Sequence, residues 1–117
     1  MNFYKLINSF KYALQGIESL LRSEQNMILH VIAAIVVIAA GLYFKITIVE
    51  WCLITLAIGF VLVAEAMNTA IEALTDHVQP EQHPLAGKVK DISAGAVLLA
   101  AICALMIGGL VFFKYIF

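Results

Sequence analysis

Charged residues are scarce in this chain, and that scarcity excludes several classes of protein. Only 13% of the 117 residues are Asp, Glu, Lys or Arg, and the formal net charge is -1 at pH 7. No run of like charges occurs, so neither a nucleic-acid-binding surface nor a solvated charged tail is expected. The two cysteines, Cys52 and Cys103, lie in apolar segments without a CxxC spacing. We interpret them as small hydrophobic residues, not as part of a disulfide framework.

Familiar nucleotide-binding motifs are also missing. The pair Gly87 and Lys88 lacks the upstream glycine and the following Ser or Thr of a P-loop, and neither HRD nor DFG occurs. Strand-like alternation, tandem repeats and low-complexity segments are absent as well. Any nucleotide site in this chain therefore has to be of another kind.

What the chain has in abundance is hydrophobic sequence. Hydrophobic residues make up 63% of it, and the mean hydropathy is +0.99, which is too apolar for an ordinary soluble domain. Three apolar runs are long enough to predict transmembrane helices, at residues 27–43, 49–64 and 92–113. The third run carries a line of small residues that permits close helix contact, namely Ala96, Ala100, Ala104 and Gly108. We therefore predict a single, all-helical integral membrane domain with three spans.

The N-terminal segment, residues 1–22, predicts an amphipathic helix. Its apolar residues recur at alternating steps of four and three, at Phe3, Ile7, Phe10, Leu14, Ile17 and Leu21. This spacing is unlike the single hydrophobic core of a signal peptide, so we expect the segment to stay in the mature protein. Two placements are open: the helix lies in the headgroup plane of the membrane, or it packs on the end of the bundle.

The distribution of Lys and Arg predicts the orientation of the three spans in the membrane. Residues 77–91, which carry both prolines and much of the charge, predict a loop exposed to water. The N-terminal segment and this loop hold five basic residues, Lys5, Lys11, Arg22, Lys88 and Lys90. The connection between the first and second apolar runs holds Lys45, and the C-terminal residues hold Lys114, which makes two. The positive-inside rule therefore places the N-terminus and the loop in the cytoplasm.

A polar stripe follows the second apolar run, in the segment AEAMNTAIEALTD from Ala64 to Asp76. At about 100° per residue, its members fall within roughly 80° of one helix face; they are Glu65, Asn68, Glu72 and Asp76. A carboxylate at membrane depth costs about 2.5 kcal/mol or more unless it meets a cation or water, which makes Glu65 a candidate site residue. The simpler alternative is that the stripe is only the solvated end of a helix leaving the bilayer.

Polar side chains predicted at the cytoplasmic end of the bundle have the chemistry of phosphoryl transfer. They are Glu24, Glu65, Asn68, Glu72, Asp76, Glu81, Lys88, Lys90 and Asp91. Carboxylate oxygens hold Mg²⁺, a lysine neutralises phosphate charge, and a carboxylate deprotonates an attacking hydroxyl. Glu24 and Glu72 both stand at this surface and can share one cation, so we predict a magnesium site there.

Three other functions compete with this one. His30 and His77 suggest a haem site, but the predicted topology places both near the cytoplasmic end, and His30 is better interpreted as a hydrogen-bonded interior residue. A non-enzymatic proteolipid or proton carrier would use Glu65 as a lone proton site, but it would need none of the other polar residues. A structural anchor with merely interfacial charges is the third alternative. ATP hydrolysis or phosphate transfer from ATP, measured with and without Mg²⁺, distinguishes a kinase from all three.

The segment AEAMNTAIEALTD, the downstream KD at 90–91 and the run ISAGAVLLAA resemble the prokaryotic diacylglycerol kinase family of small three-span membrane enzymes. The resemblance includes SEQNMILH and YALQG, so it covers most of the chain. It implies that Glu65 is the catalytic base, that Glu24 and Glu72 hold the Mg²⁺ that accompanies ATP, and that Asn68 supports this centre. It further implies a homotrimer with sites shared between subunits, located in a bacterial cytoplasmic (inner) membrane.

The same resemblance implies the remaining site residues. Lys90 and Asp91 match the family's pair at the nucleotide, and further nucleotide contacts are implied for Tyr12, Glu81, Gln82 and His83. Lys5 and Ala94 fall with Glu65 at positions that contact the lipid substrate. Lys5 replaces an arginine of the diacylglycerol-using type, which keeps the charge but loses the bidentate fork. MNTAIEALTD and ISAGAVL are closer to the undecaprenol kinase branch, and both undecaprenol and diacylglycerol remain open as acceptors.

Overall fold

A computed structural model describes residues 2–117, and helices account for nearly all of them. The helices are α1 (Phe3–Ser23), α2 (Gln25–Phe44), α3 (Ile48–Val78) and α4 (Pro84–Ile116), and residues 2–117 contain no strand. By length and composition, α2, α3 and α4 could each cross a membrane. The predicted all-helical fold with three candidate membrane spans is confirmed.

The first helix, α1, starts at a side-chain cap and ends where one residue adopts an extended backbone conformation. Asn2 Oδ1 accepts hydrogen bonds from the N–H groups of Tyr4 (3.0 Å) and Lys5 (3.3 Å), which satisfies two otherwise unpaired donors. Glu24 has an extended backbone (φ -113°, ψ 110°) and separates α1 from α2. No residue of α1 is buried. Its amphipathic placement at a membrane surface stays a prediction.

A tight turn joins α2 to α3. Lys45 adopts the left-handed conformation (φ 53°) after the end of α2, and its N–H donates to the carbonyl of Gly41. Gly41 is buried against the indole of Trp51, where a Cβ atom would lie only 2.6 Å from Trp51 Cη2. A glycine is therefore required at this point for the indole to pack on α2.

The start of α3 is capped reciprocally and is joined to the end of α4. Thr47 Oγ1 accepts from the N–H of Glu50 at 3.2 Å, and Glu50 Oε1 accepts from the N–H of Thr47 at 3.0 Å, which is a capping box. Tyr115 Oη donates to Glu50 Oε1 at 2.5 Å, and Lys114 Nζ lies 3.3 Å from Glu50 Oε2. We call these four residues the Glu50 cluster.

The apolar core lies next to the Glu50 cluster. Ile54 and Val111 are 2% and 5% exposed and meet Ile46 from the turn. Phe44 and Phe112 pack against them with ring centroids 6.1 Å apart. The core thus joins the end of α2, the start of α3 and the end of α4. The polar stripe lies toward the other end of α3, away from this core.

The prediction of a loop over residues 77–91 is wrong for most of its length. Helix α3 continues to Val78, only 79–83 lie between helices, and α4 already begins at Pro84. Proline suits the first turn of a helix, because the N–H that it lacks would have no partner there. His83 caps this turn, since its Nδ1 accepts from the N–H of Leu85 at 3.1 Å. Three of the four Asp, Glu, Lys and Arg residues assigned to the loop therefore stand on the first turns of α4, namely Lys88, Lys90 and Asp91, whereas Glu81 lies in the connection.

Candidate active site

Glu65 is the most enclosed charged side chain of α3. Only 2% of its surface is exposed, although it stands on a helix that could span a membrane. Within residues 2–117, His30 is the one basic side chain within 4 Å of the Glu65 carboxylate, and its Nε2 lies 3.6 Å from Oε2. A carboxylate held in such surroundings needs a cation, a hydrogen-bond donor or water. The structure therefore joins α2 and α3 at the carboxylate that the sequence singled out.

Asn68 and Glu72 form the next step of the polar stripe. Asn68 is 8% exposed, and its Nδ2 lies 3.5 Å from Glu72 Oε1, at the limit of hydrogen-bonding distance. The amide oxygen Oδ1 of Asn68 is buried and has no hydrogen-bond partner. An unpaired buried acceptor costs free energy, so a partner for this oxygen would be stabilising. The oxygen can accept a hydrogen bond from water or bind a ligand beside the Glu72 carboxylate.

The donor set around Glu72 fits Mg²⁺ carried by a nucleotide. Residues 2–117 contain no group of three or more His, Cys, Asp or Glu side chains arranged to hold a metal ion by themselves. Mg²⁺ commonly takes only one or two carboxylates and completes its shell with substrate phosphates and waters. A half-buried Glu72 with the unpaired Asn68 Oδ1 beside it supplies hard oxygen donors of this kind.

Glu24, the other predicted metal ligand, lies at the break between α1 and α2. Its carboxylate is half-buried and makes no capping hydrogen bond to α2. The side chain therefore remains available to a ligand at the junction of the two helices. Its sharing of one cation with Glu72 stays a prediction.

Asp76, the last member of the stripe, forms an ion pair with Lys90 between α3 and α4. Asp76 is exposed and Lys90 is partly exposed. Because Asp76 stands one helical turn beyond Glu72, the pair holds the predicted phosphate-binding lysine close to the stripe. The predicted contact of Lys90 with phosphate stays a prediction.

The remaining predicted site residues lie at the surface, on α1, on α4 or in the connection between α3 and α4. They are Lys5 and Tyr12 on α1, Glu81, Gln82 and His83 in the connection, and Asp91 and Ala94 on α4. All seven are exposed, and His83 is engaged as the cap of α4. The structure thus shows contacts for Glu65, Asn68, Glu72 and Lys90, while nucleotide and lipid contacts of the exposed residues stay predictions.

Two residues near the stripe were not assigned to the site from the sequence. The sequence predicts His30 only as a hydrogen-bonded interior residue, whereas the structure places its Nε2 3.6 Å from Glu65 Oε2. Ser93 is 7% exposed, its Oγ has no hydrogen-bond partner, and it lines a cavity of about 380 Å³ together with Asn68. Its only signal in the sequence is a hydroxyl at the start of the third apolar run. The local pattern alone does not distinguish a serine with a functional role from one that only fills space.

An apolar cavity of about 240 Å³ lies between α2, α3 and α4. His30 is its single ionisable lining residue, and Val61, one helical turn before Glu65, also lines it. Small residues from all three helices line the cavity, among them Ala33 on α2, Ala57 on α3 and Ala104 on α4. The His30–Glu65 pair therefore lies between this apolar cavity and the other members of the polar stripe.

Comparison with known proteins identifies the family. The family model described as prokaryotic diacylglycerol kinase matches residues 11–112. Undecaprenol kinase of Bacillus subtilis is 39% identical over 92% of this chain and 88% of its own length. Diacylglycerol kinase of Synechocystis sp. is 35% identical over 89% of this chain and 60% of its own length, and that of Haemophilus influenzae is 32% identical over 92% of both. These matches confirm the predicted enzyme type, and the chain belongs to the prokaryotic diacylglycerol kinase family.

Proposed function

We propose that this protein transfers the γ-phosphate of ATP to the hydroxyl group of a membrane lipid alcohol at the cytoplasmic face of the membrane. The observation that carries the proposal is the position of Glu65. This buried carboxylate has an apolar cavity on the side of Val61 and the Asn68–Glu72 pair on the other side. A lipid hydroxyl arriving from the membrane and a phosphate arriving from water can meet at such a junction.

Glu65 acts as the general base in this reaction. Its carboxylate accepts the proton of the lipid hydroxyl as the hydroxyl oxygen forms a bond to the γ-phosphorus. The bond between the γ-phosphorus and the bridging oxygen breaks at the same time, so that ADP leaves with that oxygen. The proton is released to water after the phosphorylated lipid departs, and the reaction then balances without a further reactant.

Glu24 and Glu72 would hold the Mg²⁺ that accompanies ATP. When bound, the ion would neutralise charge at the phosphate oxygens. Asn68 orients Glu72 through its amide nitrogen and offers its unpaired Oδ1 to a water or phosphate-bound ligand. This division of roles is supported by hard oxygen donors on one face of α3.

Lys90 binds the phosphates and exchanges its partner when the nucleotide arrives. It is paired with Asp76 in this structure, and both residues are partly or largely exposed. A phosphate is a stronger partner for an ammonium group than one carboxylate, because it offers more charge. Around this lysine the other proposed nucleotide contacts are Tyr12, Glu81, Gln82, His83 and Asp91.

We propose that three copies of the chain form the working protein, with sites shared between subunits. The support is the large amount of exposed apolar surface on the helices. In each of α2 and α4, only 11% of the most apolar 18-residue stretch is buried within the single chain. Lipid can cover part of this surface, and neighbouring subunits can cover the rest.

The N-terminus and residues 79–83 lie in the cytoplasm in this proposal, in keeping with the positive-inside rule.

Of the two lipid alcohols, we favour undecaprenol as the acceptor. The Bacillus subtilis relative named for that substrate is 39% identical, against 35% and 32% for the two diacylglycerol kinases. Lys5 and Ala94 are the residues of this chain that we place, with Glu65, near the lipid headgroup. Diacylglycerol is the alternative acceptor.

The test is transfer of labelled γ-phosphate from ATP to a panel of lipids by the purified protein in detergent micelles. The panel contains undecaprenol, diacylglycerol and a lipid without a free hydroxyl, each with Mg²⁺ or with excess chelator. We expect Mg²⁺-dependent labelling of undecaprenol above diacylglycerol, and no labelling of the third lipid. Failure to label either alcohol would overturn the proposed function, and preferential labelling of diacylglycerol would overturn only the choice of acceptor.

A further inference from the structure

His30 is an exception on its own helix. Helix α2 has the sequence QNMILHVIAAIVVIAAGLYF, which contains no Asp, Glu, Lys or Arg and one histidine. An imidazole on such a helix has to be desolvated in part, so it needs a polar partner. The partner is Glu65, since His30 Nε2 lies 3.6 Å from Glu65 Oε2.

The pairing is unequal in its access to the surroundings. The side chain of His30 is 24% exposed, whereas that of Glu65 is 2% exposed. His30 also lines the apolar cavity between α2, α3 and α4, where a lipid chain can lie. The imidazole therefore stands between the apolar space and the carboxylate, on the side from which a lipid hydroxyl would arrive.

The distance of 3.6 Å is longer than a hydrogen bond, but it is short enough to close by a small side-chain rotation. Hydrogen bonds within catalytic sites are often long without substrate and shorten in the complex. An imidazole N–H is a good donor to a carboxylate, and it can approach only one of the two carboxylate oxygens at a time. Contact at Oε2 leaves Oε1 of Glu65 free for another partner.

We propose that His30 is a positioning residue for the base: its Nε2–H holds Oε2 of Glu65, so that Oε1 faces the hydroxyl of the lipid alcohol. This inference rests on the proposed role of Glu65 as general base. His30 acts through Glu65 and makes no bond to the reacting atoms. Loss of the imidazole leaves Glu65 in place but removes the donor that selects its orientation.

The matched variants are His30→Gln and His30→Met. Gln and Met have nearly the same length and shape, but only Gln carries N–H groups that can reach Glu65. Each is measured for lipid phosphorylation and, separately, for ATP binding in detergent, together with thermal unfolding. Leu29→Ala, at an exposed position beside His30, controls for a general change in α2.

We expect His30→Met to lower kcat by at least about tenfold, because a hydrogen bond to a charged group is lost. His30→Gln keeps kcat within about threefold of wild type, and Leu29→Ala keeps it within about twofold, since the donor to Glu65 remains in both. The affinity for ATP stays the same in all three variants. Equal activity of the Gln and Met variants would overturn the proposal, because the donor would then be irrelevant.

A double-mutant cycle tests whether His30 acts through Glu65. In the Glu65→Gln background, His30→Met should cause no further loss of turnover, since the oriented carboxylate is already absent. A further loss of about tenfold in that background would assign His30 an independent role and overturn the proposal. Active wild type with inactive Glu65→Gln and normal His30→Met would overturn this inference alone. A wild-type protein that phosphorylates no lipid alcohol would overturn the proposed function and this inference together.

Discussion

Tyr115 Oη donates a 2.5 Å hydrogen bond to Glu50 Oε1, which joins the last turn of α4 to the first turn of α3. The same carboxylate caps α3 through Thr47 and pairs with Lys114. At the far end of α3, Asp76 pairs with Lys90 of α4. The two longest helices are thus tied at both ends, and Glu65 lies on the stretch between these ties.

The first prediction concerns the hydrogen bond between Tyr115 and Glu50. Tyr115→Phe removes the hydroxyl but keeps the ring that packs beside Phe44, so it leaves Glu50 with one donor fewer. We expect a lower midpoint of thermal unfolding in detergent and unchanged kcat for the protein that remains folded. Tyr43→Phe is the control, because Tyr43 is exposed on α2. An equal midpoint for both variants would show that the hydroxyl does not stabilise the helix pair.

The second prediction concerns the turn between α2 and α3. Gly41→Ala places a Cβ 2.6 Å from Trp51 Cη2, so the indole has to shift or the helices have to separate. Overpacking of this kind costs about 1 to 3 kcal/mol of unfolding free energy. Gly59→Ala is the control, because no atom lies within 4 Å of an added Cβ there. Equal stability of the two variants would contradict the close packing of Trp51 on Gly41.

Much of this fold was predictable because its signals are local. The apolar runs and the carboxylates on one helix face predicted that a single helix carries the polar stripe, and α3 does so. The extent of the loop was wrong because water-exposed composition is common to loops and to the first turns of helices, and Pro84 is compatible with both. Exposure alone did not distinguish them.

The contacts that organise the site were less accessible to sequence reasoning. His30 and Glu65 lie on different helices, and their meeting depends on how α2 packs against α3. Tyr115 and Glu50 are 65 positions apart and were not paired in advance. Periodicity predicts which face of a helix is polar, but it does not predict the register in which two such faces meet.

The third prediction concerns the metal. Glu72→Gln replaces a carboxylate beside the unpaired Asn68 Oδ1 with a neutral amide. Loss of even an outer partner of a metal site typically costs about ten- to hundredfold in affinity. We therefore expect the Mg²⁺ concentration for half-maximal lipid phosphorylation to rise at least about tenfold. Glu18→Gln on α1 is the control, and an unchanged Mg²⁺ dependence of the Glu72 variant would exclude Glu72 as a ligand.

The fourth prediction separates the two partners of the Asp76–Lys90 pair. Lys90→Met should raise KM for ATP by about tenfold, because one charged contact with phosphate is lost. Asp76→Asn removes only the competing carboxylate, so KM for ATP should stay equal or fall. Both variants lose the same ion pair, which makes each the structural control of the other. A similar rise of KM in both would mean that the pair acts only by joining α3 to α4.

The most direct test of the account is a parallel measurement of lipid phosphorylation and ATP binding by Glu65→Gln. The substitution keeps the size of the buried side chain but removes its capacity to take a proton, while the Asn68–Glu72 pair is untouched. General base catalysis is typically worth about 10²- to 10⁴-fold, so we expect turnover to fall at least about hundredfold with ATP binding unchanged. Turnover near that of the wild type in folded protein would contradict the role of Glu65 as the base. Loss of ATP binding would instead assign Glu65 to the nucleotide and metal site.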